Sequence, residues 1–352
     1  MRCPGSLLTF ALMTCMPTLA APPVTSILSR FTGPDIPALG PDEQPVGRNW
    51  PVSSAPVDRP GHGLSPRPML YAGEGYNNIL LVNDGKVVWN YSVGPHGEID
   101  DIWMLSNGNI LFASQFKVEE VTPQKRVVWR YDAPQGTEVH TCQPIGLNKV
   151  LLVENGLPPK LKIFNKKTNK MEMEHALPAE SLTDPKTVHL QFRRIRMTAN
   201  GTYLAAFLRM NKVVEFDKHF RPIWSYRIPT PWAAARLRNG NTLITDQSDR
   251  LVREVNPHGE TVWEIKQSDL PADVVLGNIQ TAERLANGDT VIFNSVWQVK
   301  REAWQNTIQA LEVTPDKKLV WVLQDWTGLG PATTAQFLDQ QGQPERPGDL
   351  QR

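Results

Sequence analysis

Two histidines, a small set of carboxylates and a pair of adjacent arginines are the residues of this 352-residue chain best suited to proton transfer, nucleophilic attack or the holding of a charged ligand. His140 stands two positions after Glu138, and Asp100 and Asp101 form an acidic pair farther upstream. An imidazole beside a carboxylate can relay protons near neutral pH or ligate a metal. No local Cys or His spacing of the zinc type accompanies them, so no metal is assigned. His140 and His189 are the candidate catalytic residues, with backbone bonding at a rim as the plainer role for both. Arg193 and Arg194 offer forked donors for sulfate, phosphate or carboxylate, or serve only to neutralise Asp100 or Asp101. Trp232 can stack on a sugar or aromatic ring, or pack between sheets. Gln143, Gln191, Gln280 and Gln336 complete the candidate ligand-binding set of Asp100, Asp101, Glu138, Arg193, Arg194 and Trp232. Cys142, the one cysteine beyond residue 20, reads as a small buried side chain.

These residues are dispersed along most of the chain, so only an architecture that returns distant segments to one place can unite them. Internal repetition supplies that architecture. Val87-Val88-Trp89, Val127-Val128-Trp129, Pro222-Ile223-Trp224, Thr261-Val262-Trp263 and Leu319-Val320-Trp321 recur, with Trp89 and Trp129 separated by 40 positions and Trp224 and Trp263 by 39, the period of a four-stranded propeller blade. Val121, Phe216, Val255 and Val313 keep the same register before their tryptophans, and Val82 slips by one. Asn107-Gly108, Asn200-Gly201, Asn239-Gly240 and Asn287-Gly288 mark hairpin turns, because Asn-Gly tolerates the positive φ of a type I′ turn. A unit between Lys149 and Leu177 puts Met171 or Met173 where the tryptophan belongs.

Six units result, at 69–94, 98–134, 139–178, 189–229, 232–271 and 279–326. The first lacks an opening strand, and Thr333–Leu338 looks like an opening strand without a unit. The sequence therefore predicts an all-β, six-bladed β-propeller closed by its C-terminal strand pairing into blade one. In such a ring the opening strands line a central channel. Counted back from the turns, Asp100, Arg193, Trp232 and Gln280 share one column, joined by His140 and Thr334, and His96 and His189 share a second column in the entering loops. Several ionisable groups are thus predicted to meet at one channel mouth.

The remaining composition narrows the partners. With 37 basic and 36 acidic residues the net charge is +1, so no global field draws the protein to nucleic acid or an anionic membrane. Residues 1–20 read as a secretory signal, with Arg2, an apolar stretch from Leu7 to Met16 and a small-x-small site ending at Ala20; a periplasmic or extracellular location follows. No segment beyond it is apolar for long enough to span a bilayer. Residues 21–68 are proline-rich and read as a linker or strap ahead of a propeller domain at 69–352.

The unit running from Asn239-Gly240-Asn241-Thr242-Leu243-Ile244 through Glu254-Val255-Asn256-Pro257-His258-Gly259-Glu260-Thr261-Val262-Trp263 resembles the repeats of the quinoprotein-like propeller superfamily and of bacterial arylsulfate sulfotransferases. The resemblance implies a scaffold shared by enzymes, binding modules and assembly factors. Three functions stay open: an exported propeller holding a small polar ligand or glycan at the channel mouth, an enzyme in which His140 or His189 accepts a sulfuryl group steadied by Arg193 or Arg194, and a scaffold for a protein partner. A quinone-dependent dehydrogenase fits least, because the adjacent-cysteine pair of many such propellers is absent and six blades are too few. No cofactor is assigned, since the repeated tryptophans read as blade packing.

Overall fold

The computed structural model describes residues 24–39, 67–73, 76–94, 98–296, 299–326 and 329–352; the expected signal at 1–20, most of the expected linker and His96 lie outside them. Six four-stranded antiparallel sheets form the molecule. The first holds β1 (Met69–Gly73), β2 (Tyr76–Asn83) and β3 (Lys86–Ser92). The second holds β4 (Ile99–Met104), β5 (Ile110–Ser114), β6 (Lys117–Val121) and β7 (Val127–Asp132). The third runs through β8 (Glu138–Ile145), β9 (Lys149–Asn155), β10 (Lys160–Asn165) and β11 (Lys170–Ala176). The fourth comprises β12 (Ile195–Met197), β13 (Tyr203–Phe207), β14 (Lys212–Phe216) and β15 (Pro222–Arg227). The fifth is built from β16 (Pro231–Arg236), β17 (Thr242–Asp246), β18 (Leu251–Val255) and β19 (Thr261–Lys266). The sixth contains β20 (Asn278–Arg284), β21 (Thr290–Ser295), β22 (Ala310–Val313) and β23 (Leu319–Leu323).

The closing strand is where the repeat requires it. β24 (Thr334–Phe337) pairs antiparallel with β1, Met69 opposite Phe337 and Ala72 opposite Thr334, so the first sheet reads β24-β1-β2-β3. Its side chains serve two neighbours. Ala335 and Phe337 pack with Trp321 and Phe293 of the sixth sheet, while Leu338 joins the core shared with the second. The ring is an all-β six-bladed propeller.

Burial explains the sequence pattern of each blade. The second strands are buried throughout, as in Ile110–Ser114, and are correspondingly apolar. Outer strands alternate, and the residue before each tryptophan is exposed: Val128, Ile223 and Val262 are all more than half exposed. Their β-branched chemistry suits a pleated edge and is not needed for the core. The tryptophans turn inward to the sheet interfaces, where Nε1 of Trp89, Trp224 and Trp263 donates to the carbonyl of Pro123, Pro257 and Pro315 in the next sheet. In the third sheet Met173 takes the tryptophan's place opposite Ile163, and Met171 is exposed.

A second column ties sheet to sheet. Glu120, Glu215, Glu254 and Glu312 stand one position before their apolar neighbours Val121, Phe216, Val255 and Val313, and pair with Lys166, Arg236, Arg284 and Arg67 of the following sheet. Such half-buried pairs contribute on the order of 1 kcal/mol each, less than a buried tryptophan's apolar area, so they set register more than they hold the ring.

Two segments lie outside the repeat. Residues 24–36, within the stretch read as a linker, form α1 (Val24–Leu28) and a short turn that packs on the first two sheets, with Phe31 edge-on to Trp89 at 5.4 Å. Residues 339–352 cross the face that carries the Asn-Gly turns. Glu345 accepts from Gly146 N and Ser106 N, Asp349 and Gln351 meet Arg238, and Gln351 O accepts from Arg284 N. The segment ends with Arg352 inside the ring, donating to Ile102 O and Thr334 Oγ1 at 2.9 Å each and lying over the Trp103 ring. One mouth of the channel is thereby closed.

Candidate functional site at the open channel mouth

The inner strands carry a repeated irregularity at the column that the turn spacing picks out. Register breaks fall between Ile99 and Asp101, Val139 and Cys142, Pro231 and Ala233, and Ile279 and Thr281. Asp100, Trp232 and Gln280 are the bulged residues of their strands, and His140 and Thr141 those of β8; a bulge frees a side chain from the strict alternation of the strand and re-aims it. In the fourth sheet β12 is only three residues long. A short 3-10 helix, Pro185–Leu190, precedes it, started by Pro185 and capped by Asp184, whose side chain accepts from Lys186 N. This turn brings His189 over the third sheet and sends Arg193 into the mouth.

Five of the expected residues and one unexpected residue meet there. His140 is fully buried and lies between two carboxylates: Nδ1 is 2.5 Å from Asp100 Oδ2, and Nε2 is 2.7 Å from Glu138 Oε2. Each ring nitrogen lies within hydrogen-bond distance of a carboxylate, a setting that favours the imidazolium. Burial and Arg193 oppose that charge, but the bonds to Asp100 and Glu138 outweigh them and raise its pKa above the ordinary histidine value. Glu138 Oε2 also accepts from His189 Nδ1 at 2.9 Å. Burial works against the Glu138 charge, yet hydrogen bonds from the two imidazoles hold its pKa far below the usual carboxylate range. His189 is 39 % exposed, and its Nε2 accepts from Arg193 Nη2 at 2.9 Å, while Arg193 Nη1 bonds the His189 carbonyl. Glu98, the unexpected member, lies 3.6 Å from His140 Nδ1 and 3.8 Å from His189 Nε2. Burial and the neighbouring Asp100 raise its pKa.

The other expected residues have different surroundings. Asp101 turns into the channel and receives both Arg196 nitrogens, at 2.7 and 2.9 Å, with Arg194 3.5 Å away. Burial opposes its charge, but the arginines lower its pKa. Arg194 donates to the Asp100 carbonyl at 2.8 Å and is so buried that its pKa falls to about 9. Gln143 and Gln336 clamp neighbouring backbones: Gln143 holds Met197 N and O, and Gln336 holds Met104 N and O. Gln191 donates to Gly156 O. Trp232 is buried against Leu208 and Ala233, with its ring face 6.0 Å from the Arg194 guanidinium. Gln280 is buried and its carbonyl accepts from Thr245. The Cys142 thiol is buried, which pushes its pKa well up and makes it inert as a nucleophile.

Glu98 escapes a reading by columns because it lies in the irregular approach to β4, two residues before the bulge. Arg196 and Arg352, which bracket Trp103, also fall outside the aligned column. A cleft of ≈ 480 Å³ lies on the opposite face between the fourth and fifth sheets, lined by Trp224, Arg236, Arg238 and Gly348. It shares no residue with the histidine cluster.

Among known proteins, no family model and no curated sequence matches this chain. Solved structures do. A protein of unknown function from Bacteroides caccae is 24% identical with a TM-score of 0.69, over 77% of this chain and 98% of that one. A streptogramin B lyase is 14% identical with a TM-score of 0.51, over 79% and 86%. A catalytically inactive histidine-to-alanine variant of virginiamycin B lyase from Staphylococcus aureus, solved with quinupristin, is 11% identical with a TM-score of 0.51, over 78% and 88%. At these identities the likeness is one of fold, and what the chain shares with these structures is the β-propeller.

Proposed function

We propose that this protein is an exported β-propeller that binds a small polar molecule, a carbohydrate or a related polyhydroxylated acid, at the mouth formed by Glu98, Glu138, His140, His189 and Arg193. One observation carries the reading: ionisable side chains from the second, third and fourth sheets converge on one end of a channel whose other end is filled by residues 339–352. Carboxylates and imidazoles in fixed orientation suit hydroxyl recognition, and Arg193 makes no ion pair among the described residues, so its charge is available to an acidic substituent. The likeness of the repeats to quinoprotein-like propellers agrees with this reading without choosing a ligand. Calorimetric titration of neutral and acidic sugars checks it. Saturable binding to the parent, weakened at least tenfold in His189→Ala, is expected; heat signals identical in parent and variant for every sugar would remove it.

A second, enzymatic reading has its own support. Glu138 accepts from His189 Nδ1 and so leaves Nε2 as the basic nitrogen facing the mouth, the arrangement of an activated histidine. His140 is buried with both nitrogens on carboxylates, whereas His189 is part exposed and its Nε2 meets only Arg193, so His189 is the nucleophile of choice once Arg193 turns from that nitrogen to the sulfuryl oxygens. Turnover of an aryl sulfate ester that vanishes in His189→Ala would favour this reading over simple binding.

A further inference from the structure

Three carboxyl groups crowd the mouth around its two imidazoles. Glu98, Asp100 and Glu138 surround His140, and Glu98 and Glu138 also reach His189. Two carboxylate oxygens, Glu98 Oε2 and Asp100 Oδ1, are buried without a hydrogen-bond partner among the described residues, although Asp100 is 0% exposed. A buried carboxylate oxygen left without a donor is a place for an ion or an ordered water.

We propose that Glu98, His140 and His189 form a site for one divalent cation of the zinc type. One ligand atom of each lies within 4.8 Å of the other two. Glu98 Oε2 is 3.6 Å from His140 Nδ1 and Glu98 Oε1 is 3.8 Å from His189 Nε2. In a tetrahedral site with bonds of about 2.1 Å, ligand atoms stand about 3.4 Å apart, so a small inward shift closes the set. The outer contacts are already made. Glu138 Oε2 meets His140 Nε2 and His189 Nδ1, which leaves His140 Nδ1 and His189 Nε2 on the Glu98 side; to ligate, His140 Nδ1 gives up its proton and its bond to Asp100 Oδ2. A carboxylate behind the imidazole is the usual support of a metal-bound histidine, and two imidazoles with carboxylate oxygen form a donor set that zinc accepts. Asp100 Oδ1 is available as a further oxygen. Arg193, now donating to His189 Nε2, occupies the cation's place and would move aside. Glu98 and His189 come from the approaches to the second and fourth sheets and His140 from the bulge in β8, which is why no short sequence spacing marks them.

This inference concerns the same mouth as the proposed ligand site but fails or holds separately. The folded protein, stripped with chelator and dialysed, is titrated with cobalt(II), whose visible absorption reports tetrahedral nitrogen and oxygen ligation, and zinc is then used to displace it. One equivalent is expected. Glu138→Gln should weaken cobalt binding by about 10–100-fold, and Glu98→Gln and His189→Ala by at least as much. His189 is partly exposed, so its variant folds even if a change at buried His140 does not. Absence of the cobalt bands, or an unchanged affinity in folded His189→Ala, overturns the site. Sugar binding by stripped protein that takes up no cobalt would remove the metal and leave the ligand reading, whereas cobalt uptake without any sugar binding would do the reverse.

Discussion

Burial drives the Glu283 carboxyl from 4.5 up to about 7, against the pull of Arg352 and Arg67, and leaves its Oε2 without a hydrogen-bond partner among the described residues. A carboxyl whose pKa rises on folding favours the folded state most when protonated. Its contribution is whole below about 4.5 and is lost as pH climbs through 7, by up to about 3 kcal/mol. Glu283→Gln should therefore match the parent in denaturant unfolding at pH 4 and exceed it at pH 8; a constant difference across that range would show that Glu283 does not titrate there. At this scale the sequence was legible where a column existed. Asp100, His140 and Arg193 follow from counting back from the turns, because bulges recur at one place in the inner strands. Glu98, Arg196, Glu283 and Arg352 do not follow, since their partners are supplied by other sheets or by a segment outside the repeat.

Between the residue and the ring stands the blade, whose tryptophan has two jobs: filling an interface and giving its Nε1–H to the next blade's turn. The first sheet breaks the second habit. Its β2–β3 connection is the two-residue turn Asp84-Gly85, both at positive φ, shorter than the proline-bearing turns of its neighbours, and Trp321, which faces it, has no acceptor for Nε1 among the described residues. The one-position slip of Val82 in the sequence is the trace of that shortening. Trp89→Phe removes a 2.8 Å bond and should cost about 1 kcal/mol more in thermal or denaturant unfolding than Trp321→Phe, which removes an N–H already unpaired. Equal losses would mean that the indole bonds add nothing to blade packing. The exposed valines and isoleucine beside these tryptophans look like core in a hydrophobicity pattern, yet the pleat turns them outward; propensity and burial are easily confused in an edge strand.

For the whole molecule, period and turn chemistry sufficed to read six blades and their closure, because each unit is stabilised only by its neighbours and so repeats its interface residues. The plug formed by 339–352 was not readable, having neither period nor alternation. Two truncations separate closure from plugging. Removal of 339–352 should lower the melting temperature but keep a single cooperative transition, since β24 remains. Removal of 333–352 should broaden or abolish that transition and expose β1 to proteolysis, as an unpaired inner edge would. Equal behaviour of the two would place the stabilising contacts in the plug instead of the strand.

The position of β24 also fixes a temporal order. Its partner β1 leaves the ribosome a full ring earlier, so the first sheet must wait, half-made, while every other blade is synthesised. Latching is then a late step, which comes only after the strands of the other five blades have been made.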